Sequence, residues 1–282
     1  MTLGLGCSSS AVLRTIWLGA LFAFFGAGPL LGSSGPSLAP LPDEPAASPA
    51  GERAPDLTLP GGIEVEFLTV EEAREAIVEP TDPFFEKLTP LEISLRLDRD
   101  ISDLSREEAL QQFRSFLQEQ VTAWPTSDRE RLSLVLPRVA EACAEHCAAV
   151  LPKRWRFIHT NGREELGAPY TRGDCIVLPE GTVEKFSARD IDTLGKLIVH
   201  ETLHVYTRTH PEERDTLYAE IGFEPIPPVA LPEAVESVRI TNPDGPGWEH
   251  AVTVRDKDTG EECRAVMILT SRTPEFQEGV MG

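Results

Sequence analysis

SARDIDTLGKLIVHETLHVYTRTH, residues 187–210, is the stretch on which the reading of this chain turns. Asp190 follows Ser187 by three residues, an N-terminal capping pattern. Ile191, Leu194, Leu197, Ile198 and Val205 then fall on one broad apolar stripe. That spacing predicts a long helix with a buried face. Within it stands His200-Glu201-Thr202-Leu203-His204. Residues four apart share a helical face, so both imidazoles can reach one metal ion. The glutamate between them can hold and deprotonate a water, while zinc lowers that water's pKa towards ~7 and polarises a substrate carbonyl. The five-residue pattern alone is weak. Its place on an amphipathic helix, after β-like segments, strengthens it. Two histidines making ordinary hydrogen bonds are the plain alternative.

Upstream, residues 63–68 (IEVEFL) alternate apolar and acidic, the period of a half-buried strand. Thr69 then precedes VEEAREAIV, whose early acids suit a helix N-terminus. Ser102 to Val121 has helical apolar spacing, with Ser105 and Glu108 forming a capping box. Residues 127–150 also read as helical, with Pro137 expected to start or kink a segment. Trp155 to His159 reads as a strand, Thr160-Asn161-Gly162 as a turn, and Ala168 to Leu178 as a second strand broken at Gly173. Downstream, PEERDTLY (211–218) reads as the start of a new helix. From Ile240 to Leu269 the runs AVTV and AVMIL are short and β-like. Helices, a small sheet, a buried helix and further strands imply an α+β domain with an N-terminal helical part.

The N-terminal stretch suggests export. Residues 15–32 (TIWLGALFAFFGAGPLLG) are apolar and uncharged, preceded by Arg14 and followed by small residues, which describes a signal peptide over 1–32. The run is near the lower length for spanning a bilayer, so an uncleaved N-terminal anchor is the alternative, and the membrane enters only there. Residues 33–60, dense in Pro, Ala, Ser and Gly, read as an extended linker, leaving 61–282 as the folded domain. Cys143, Cys147, Cys175 and Cys263 suggest up to two disulfides in an exported chain. A half metal site at Cys143–Cys147 and free buried thiols are the alternatives.

With 26 Lys and Arg against 46 Asp and Glu, the net charge is −20. A field of that sign repels phosphate backbones and anionic lipid, so nucleic acid is not an expected partner. It suits cationic substrates, or simply solubility.

HETLH on this helix resembles the zincin metallopeptidases, whose active-site helix carries the motif beside a small sheet. In that fold the strand just upstream commonly pairs with an extended substrate, here around Tyr170 to Leu178. The fuller stretch HETLHVYTRTHPEERDTLYAEIGF, with YTRGDCIVLP and ITNPDGPGWEH, is similar to a group of exported bacterial zincin-like proteins over about residues 65–255. The resemblance implies a secreted or periplasmic zinc metallopeptidase acting on a peptide or protein, with Zn2+ on His200 and His204 and Glu201 as general base. A zincin-fold protein without turnover, serving binding or scaffolding in the cell envelope, is the second expectation.

A catalytic zinc takes three protein ligands and keeps one position open. His210 has the spacing of the metzincin branch, but Thr207 stands where that pattern has glycine and no methionine turn follows. The gluzincin branch takes a glutamate from a following helix or its end, which points to Glu224, with Glu220 as the nearer alternative. His250 is a more distant candidate ligand or oxyanion donor, and Tyr206 and Tyr218 could serve as donors too. Arg172 could orient a substrate carboxylate or be a plain edge cation, and Arg214 could pair within its own helix.

Overall fold

The computed structural model describes residues 54–278 apart from Thr81, Pro246 and Asp258. The predicted signal or anchor at 1–32, and most of the predicted linker, lie outside the described residues. The linker's last residues do not behave as a tether. Leu57–Thr58 forms strand β1, and Leu59 is buried in the core. The Asp56 carboxylate accepts the Phe67 N–H at 2.9 Å, so the folded domain begins before residue 61.

Five strands build the main sheet. After β1 come β2 (Glu64–Phe67), β3 (Arg154–Thr160), β4 (Tyr170–Arg172) and β5 (Cys175–Pro179), in spatial order β1-β2-β3-β5-β4. β2, β3 and β5 run parallel, while β1 and β4 are antiparallel edges. Gly173, at φ 55, makes the turn between β4 and β5 and explains the break read in the sequence. Apolar residues face both ways from β5, because both sides of the sheet are covered.

Helices supply the covers. On one face lie α1 (Val70–Ala76), α2 (Phe84–Lys87), α3 (Pro90–Leu97) and α4 (Arg106–Gln120), which pack Ile77, Phe84, Phe85, Phe113 and Leu117 against Ile158 and Val177. Thr69, Thr89 and Ser105 each form a capping box with the glutamate three residues on. A cap of this kind contributes about 1 kcal/mol. The other face carries α5 (Thr126–His146), α6 (Thr182–Ser187) and α7 (Ile191–Thr209), packed on Val65, Trp155, Phe157, Ile176 and Leu178. Pro137 neither starts nor ends a helix; it is carried inside α5.

The motif helix is α7. Its N-cap is Asp190, not Ser187, which closes the separate short helix α6. Gly195 lets α7 approach α5 closely: a Cβ there would meet Val135 and Val139 at 3.4 Å each. After α7 the chain forms α8 (Pro211–Glu220), β6 (Phe223–Pro225), α9 (Glu233–Glu236), β7 (Arg239–Ile240), β8 (His250–Arg255), β9 (Glu262–Ala265) and β10 (Leu269–Thr270). β6, β8 and β9 make a second small sheet, and β7 pairs with β10. The architecture is mixed helix and strand with small sheets, compatible with α+β. Cys143, Cys147, Cys175 and Cys263 are free thiols, so none of the expected disulfides is present among the described residues. Among those residues no helix is long and apolar enough to cross a membrane.

Candidate metal centre

The rotation of α7 about its axis is set by the sheet beneath it. Leu194, Leu197 and Ile198 are buried, and the Trp155 Nε1–H of β3 donates to Thr202 Oγ1 at 2.9 Å. With Thr202 turned to the sheet, His200, Glu201, His204 and Arg208 come onto the adjoining side of the helix. The two imidazoles meet edge to face, their Nε2 atoms 3.0 Å apart.

A third element arrives from far along the chain. Asp244, in the turn after β7, is buried, and its carboxylate lies with Glu201 and His204 so that one ligand atom from each falls within 4.8 Å of the others. Asp244 Oδ1 accepts both the N–H and the hydroxyl of Thr171 on β4, at 2.7 and 2.8 Å. Arg208, one turn beyond His204, donates through Nη2 to Thr171 Oγ1 at 2.8 Å and to the Pro243 carbonyl at 3.0 Å. Its Nη1 donates to the Gly173 carbonyl at 2.7 Å. Helix α7, strand β4 and the 241–244 turn are thus joined around one guanidinium.

Burial dominates the electrostatics. It lowers both imidazole pKa values to about 4, helped at His200 by repulsion from His204 and at His204 by Arg208. Burial also raises Glu201 well above the ordinary carboxylate range, and the Asp244 carboxylate adds to the rise. Asp244 is raised by burial too, against the pull of its two bonds from Thr171. Without a cation, the site therefore holds neutral imidazoles beside carboxyl groups that resist ionisation.

Those features fit a divalent ion. Glu201 Oε2 is buried with no hydrogen-bond partner, a state that desolvation makes costly. His204 gathers with the Glu201 and Asp244 carboxylates, and His200 Nε2 stands 3.0 Å from His204 Nε2, nitrogen and oxygen donors of the kind that suit zinc.

No family model, curated protein or solved structure matches this chain. The assignment of the site rests on its own geometry.

The other sequence candidates are not brought together with this cluster. Glu224, the expected third ligand, lies on β6 with its side chain 68% exposed, 3.5 Å from Arg264. A glutamate at that spacing reaches the motif only where a following helix carries it back. Here α8 ends at Glu220, so Glu224 falls into the second sheet instead. Glu220 is exposed at that helix end. His210 caps α7, exposed, and stacks on Tyr206 at 4.4 Å between ring centroids. His250 pairs with Asp215 at 2.9 Å and meets the Tyr218 ring at 4.8 Å. Arg214 also bonds Asp215, its neighbour, at 3.2 Å.

Arg172 is wholly buried, 3.7 Å from Asp82 and stacked over Phe84 at 3.9 Å, so it belongs to the core and not to a surface edge. Asp244, Thr171 and Arg208 are the residues that sequence reasoning missed. Asp244 stands in the quoted ITNPDGPGWEH, but nothing in its local pattern separates it from an ordinary turn aspartate.

Proposed function

We propose that this protein is an exported zinc-dependent hydrolase of the zincin type that cleaves amide bonds in a peptide or protein. His200, His204 and Asp244 are its metal ligands and Glu201 its general base. The gathering of His204 with the Asp244 and Glu201 carboxylates within 4.8 Å, and of His200 Nε2 3.0 Å from His204 Nε2, carries the reading. The contact of the motif helix with a small sheet whose edge strand is antiparallel β4 supports the reading.

When bound, zinc supplies Lewis acidity, polarising the substrate carbonyl and acidifying a water. Glu201, 2% exposed, would accept a water proton at its carboxylate and hand it to the departing nitrogen. Burial of Glu201 and Asp244 strengthens the charge interactions in the site, while His200 and His204 are half-buried.

One observation favours a second reading, a metal-binding protein without turnover. Thr171 is buried and its N–H is already taken by Asp244, at the edge where an extended substrate would pair. Elemental analysis of the purified protein tests the centre first. About one zinc per chain is expected from three-ligand chemistry, lost in His204→Ala and in Asp244→Ala. Zinc-loaded Glu201→Gln then separates the two readings. Loss of peptide hydrolysis with zinc retained supports the hydrolase, whereas a wild-type protein inert towards broad peptide libraries supports the binding protein.

A further inference from the structure

A metal ligand carried on a loop is only as good as the groups that hold the loop, and Asp244 sits in a turn between short strands. The groups that fix it are specific. Arg208 has only donors, so the Thr171 hydroxyl must accept from it and aim its own proton elsewhere. That proton goes to Asp244 Oδ1 at 2.8 Å, and the Thr171 N–H reaches the same oxygen at 2.7 Å. Both bonds fall on one carboxylate oxygen and leave the other outside the pairing. The second Arg208 bond, to the Pro243 carbonyl at 3.0 Å, fixes the backbone one residue before the ligand. The Asn242 side-chain oxygen accepts the Asp244 N–H at 3.0 Å and closes the turn.

We propose that Thr171 and Arg208 are positioning residues, a guanidinium–hydroxyl–carboxylate chain that orients Asp244 as the third protein ligand of the metal. This rests on the metal reading given above. The chain reaches the same helix that carries the histidines, because Arg208 lies at i+4 from His204 and i+8 from His200. One rigid element thereby supplies two ligands and the anchor for the third. Outer partners of this kind orient a ligating carboxylate and tune its basicity, and removing one weakens metal affinity about 10- to 100-fold.

The test is zinc affinity, measured by competition with a chromogenic chelator on the full-length protein, beside the thermal unfolding midpoint of each metal-free variant. Thr171→Val keeps the strand-forming shape but deletes the hydroxyl, and should weaken zinc binding about 10- to 100-fold. Thr171→Ser keeps the hydroxyl and should bind within about 3-fold of wild type. Arg208→Lys keeps the charge but cannot reach Thr171, Gly173 and Pro243 together, and should also weaken binding about 10-fold or more.

A merely structural role predicts the reverse pattern, with lower midpoints and unchanged affinity in every variant that folds. Wild-type affinity in both Thr171→Val and Arg208→Lys overturns the proposal. If those two variants keep wild-type affinity while Asp244→Asn loses it, Asp244 ligates without this chain. If the wild type takes up no zinc, or Asp244→Asn binds as tightly as wild type, the Asp244 metal reading itself falls. Should Thr171→Val fail to fold, Arg208→Lys against Thr171→Ser carries the same comparison.

Discussion

Burial holds His200 and His204 neutral down to about pH 4, so the metal-free protein presents unprotonated imidazoles across the neutral range. Glu201 pulls the other way, since its pKa is raised in the folded state. A carboxyl of that sign binds its proton more tightly folded than unfolded. Its contribution to stability is therefore greatest at low pH and falls as pH rises above the ordinary carboxylate value of about 4.5. Metal-free Glu201→Gln should thus be more stable than wild type at pH 8, with the gain shrinking towards pH 4. Urea unfolding of both proteins at the two pH values measures it, and a gain independent of pH would contradict the assigned environment. A second contrast tests the third ligand. Glu224→Gln, on an exposed side chain, should leave zinc affinity unchanged, while Asp244→Asn should lower it at least about 100-fold. At this scale the i, i+4 histidines and their glutamate were legible because a helix alone brings them together. Asp244 was not, because 40 residues separate it from His204 and no local periodicity spans that gap.

Helix α7 is placed by its contact with α5 and by the sheet. Gly195 faces Val135 and Val139 of α5, so Gly195→Leu should force the helices apart and destabilise by about 1–3 kcal/mol. Gly195→Ala meets Val135 and Val139 at ordinary contact distance. Its better helix propensity, about 1 kcal/mol, offsets the fit, and its midpoint should stay near wild type. Thermal unfolding of the pair reads both outcomes. Strand β4 makes a further prediction. With Asp244 on the Thr171 N–H and Arg208 on the Gly173 carbonyl, an extended peptide lacks those edge partners. An extended alanyl hydroxamate should therefore bind zinc-loaded protein about as tightly as acetohydroxamate. A gain of about 100-fold, the ~3 kcal/mol of a few main-chain hydrogen bonds, would show that the 241–244 turn moves aside for substrate. Helices α1, α4, α5, α7 and α8 and strands β2, β3, β4, β5 and β8 were readable from period and capping, whereas the β-like run AVMIL is strand only at its two ends. The departures came where tertiary contact overrode local signals. Pro137 is carried within a helix held by its packing, and Leu57–Thr58 is drawn into the sheet from a proline-rich stretch.

Across the molecule, the N-terminal helices and the C-terminal segment are tied by buried charge. Glu92 of α3 bonds Arg96 at 3.2 Å and both the N–H and the hydroxyl of Thr241, and it lies 3.7 Å from Arg239. Arg96 also donates to the Thr241 carbonyl at 3.1 Å and pairs with Glu165 at 3.1 Å. Thr241 is three residues before Asp244, so this network holds the turn that carries the ligand. Removing one partner leaves buried charge uncompensated, and Glu92→Ala should destabilise by about 3–5 kcal/mol. It should also weaken zinc binding, which denaturant unfolding and chelator competition read separately. The sequence by itself determined the motif helix, its two histidines and glutamate, the strands β2, β3, β4, β5 and β8 and the Ser105 cap, because each is a matter of neighbours within a turn or a pleat. Only the tertiary structure decided which carboxylate completes the site. That choice depends on Asp244 being folded against Thr171 and Arg208, and on a buried ion network that ties residues about 150 positions apart, which no local pattern encodes.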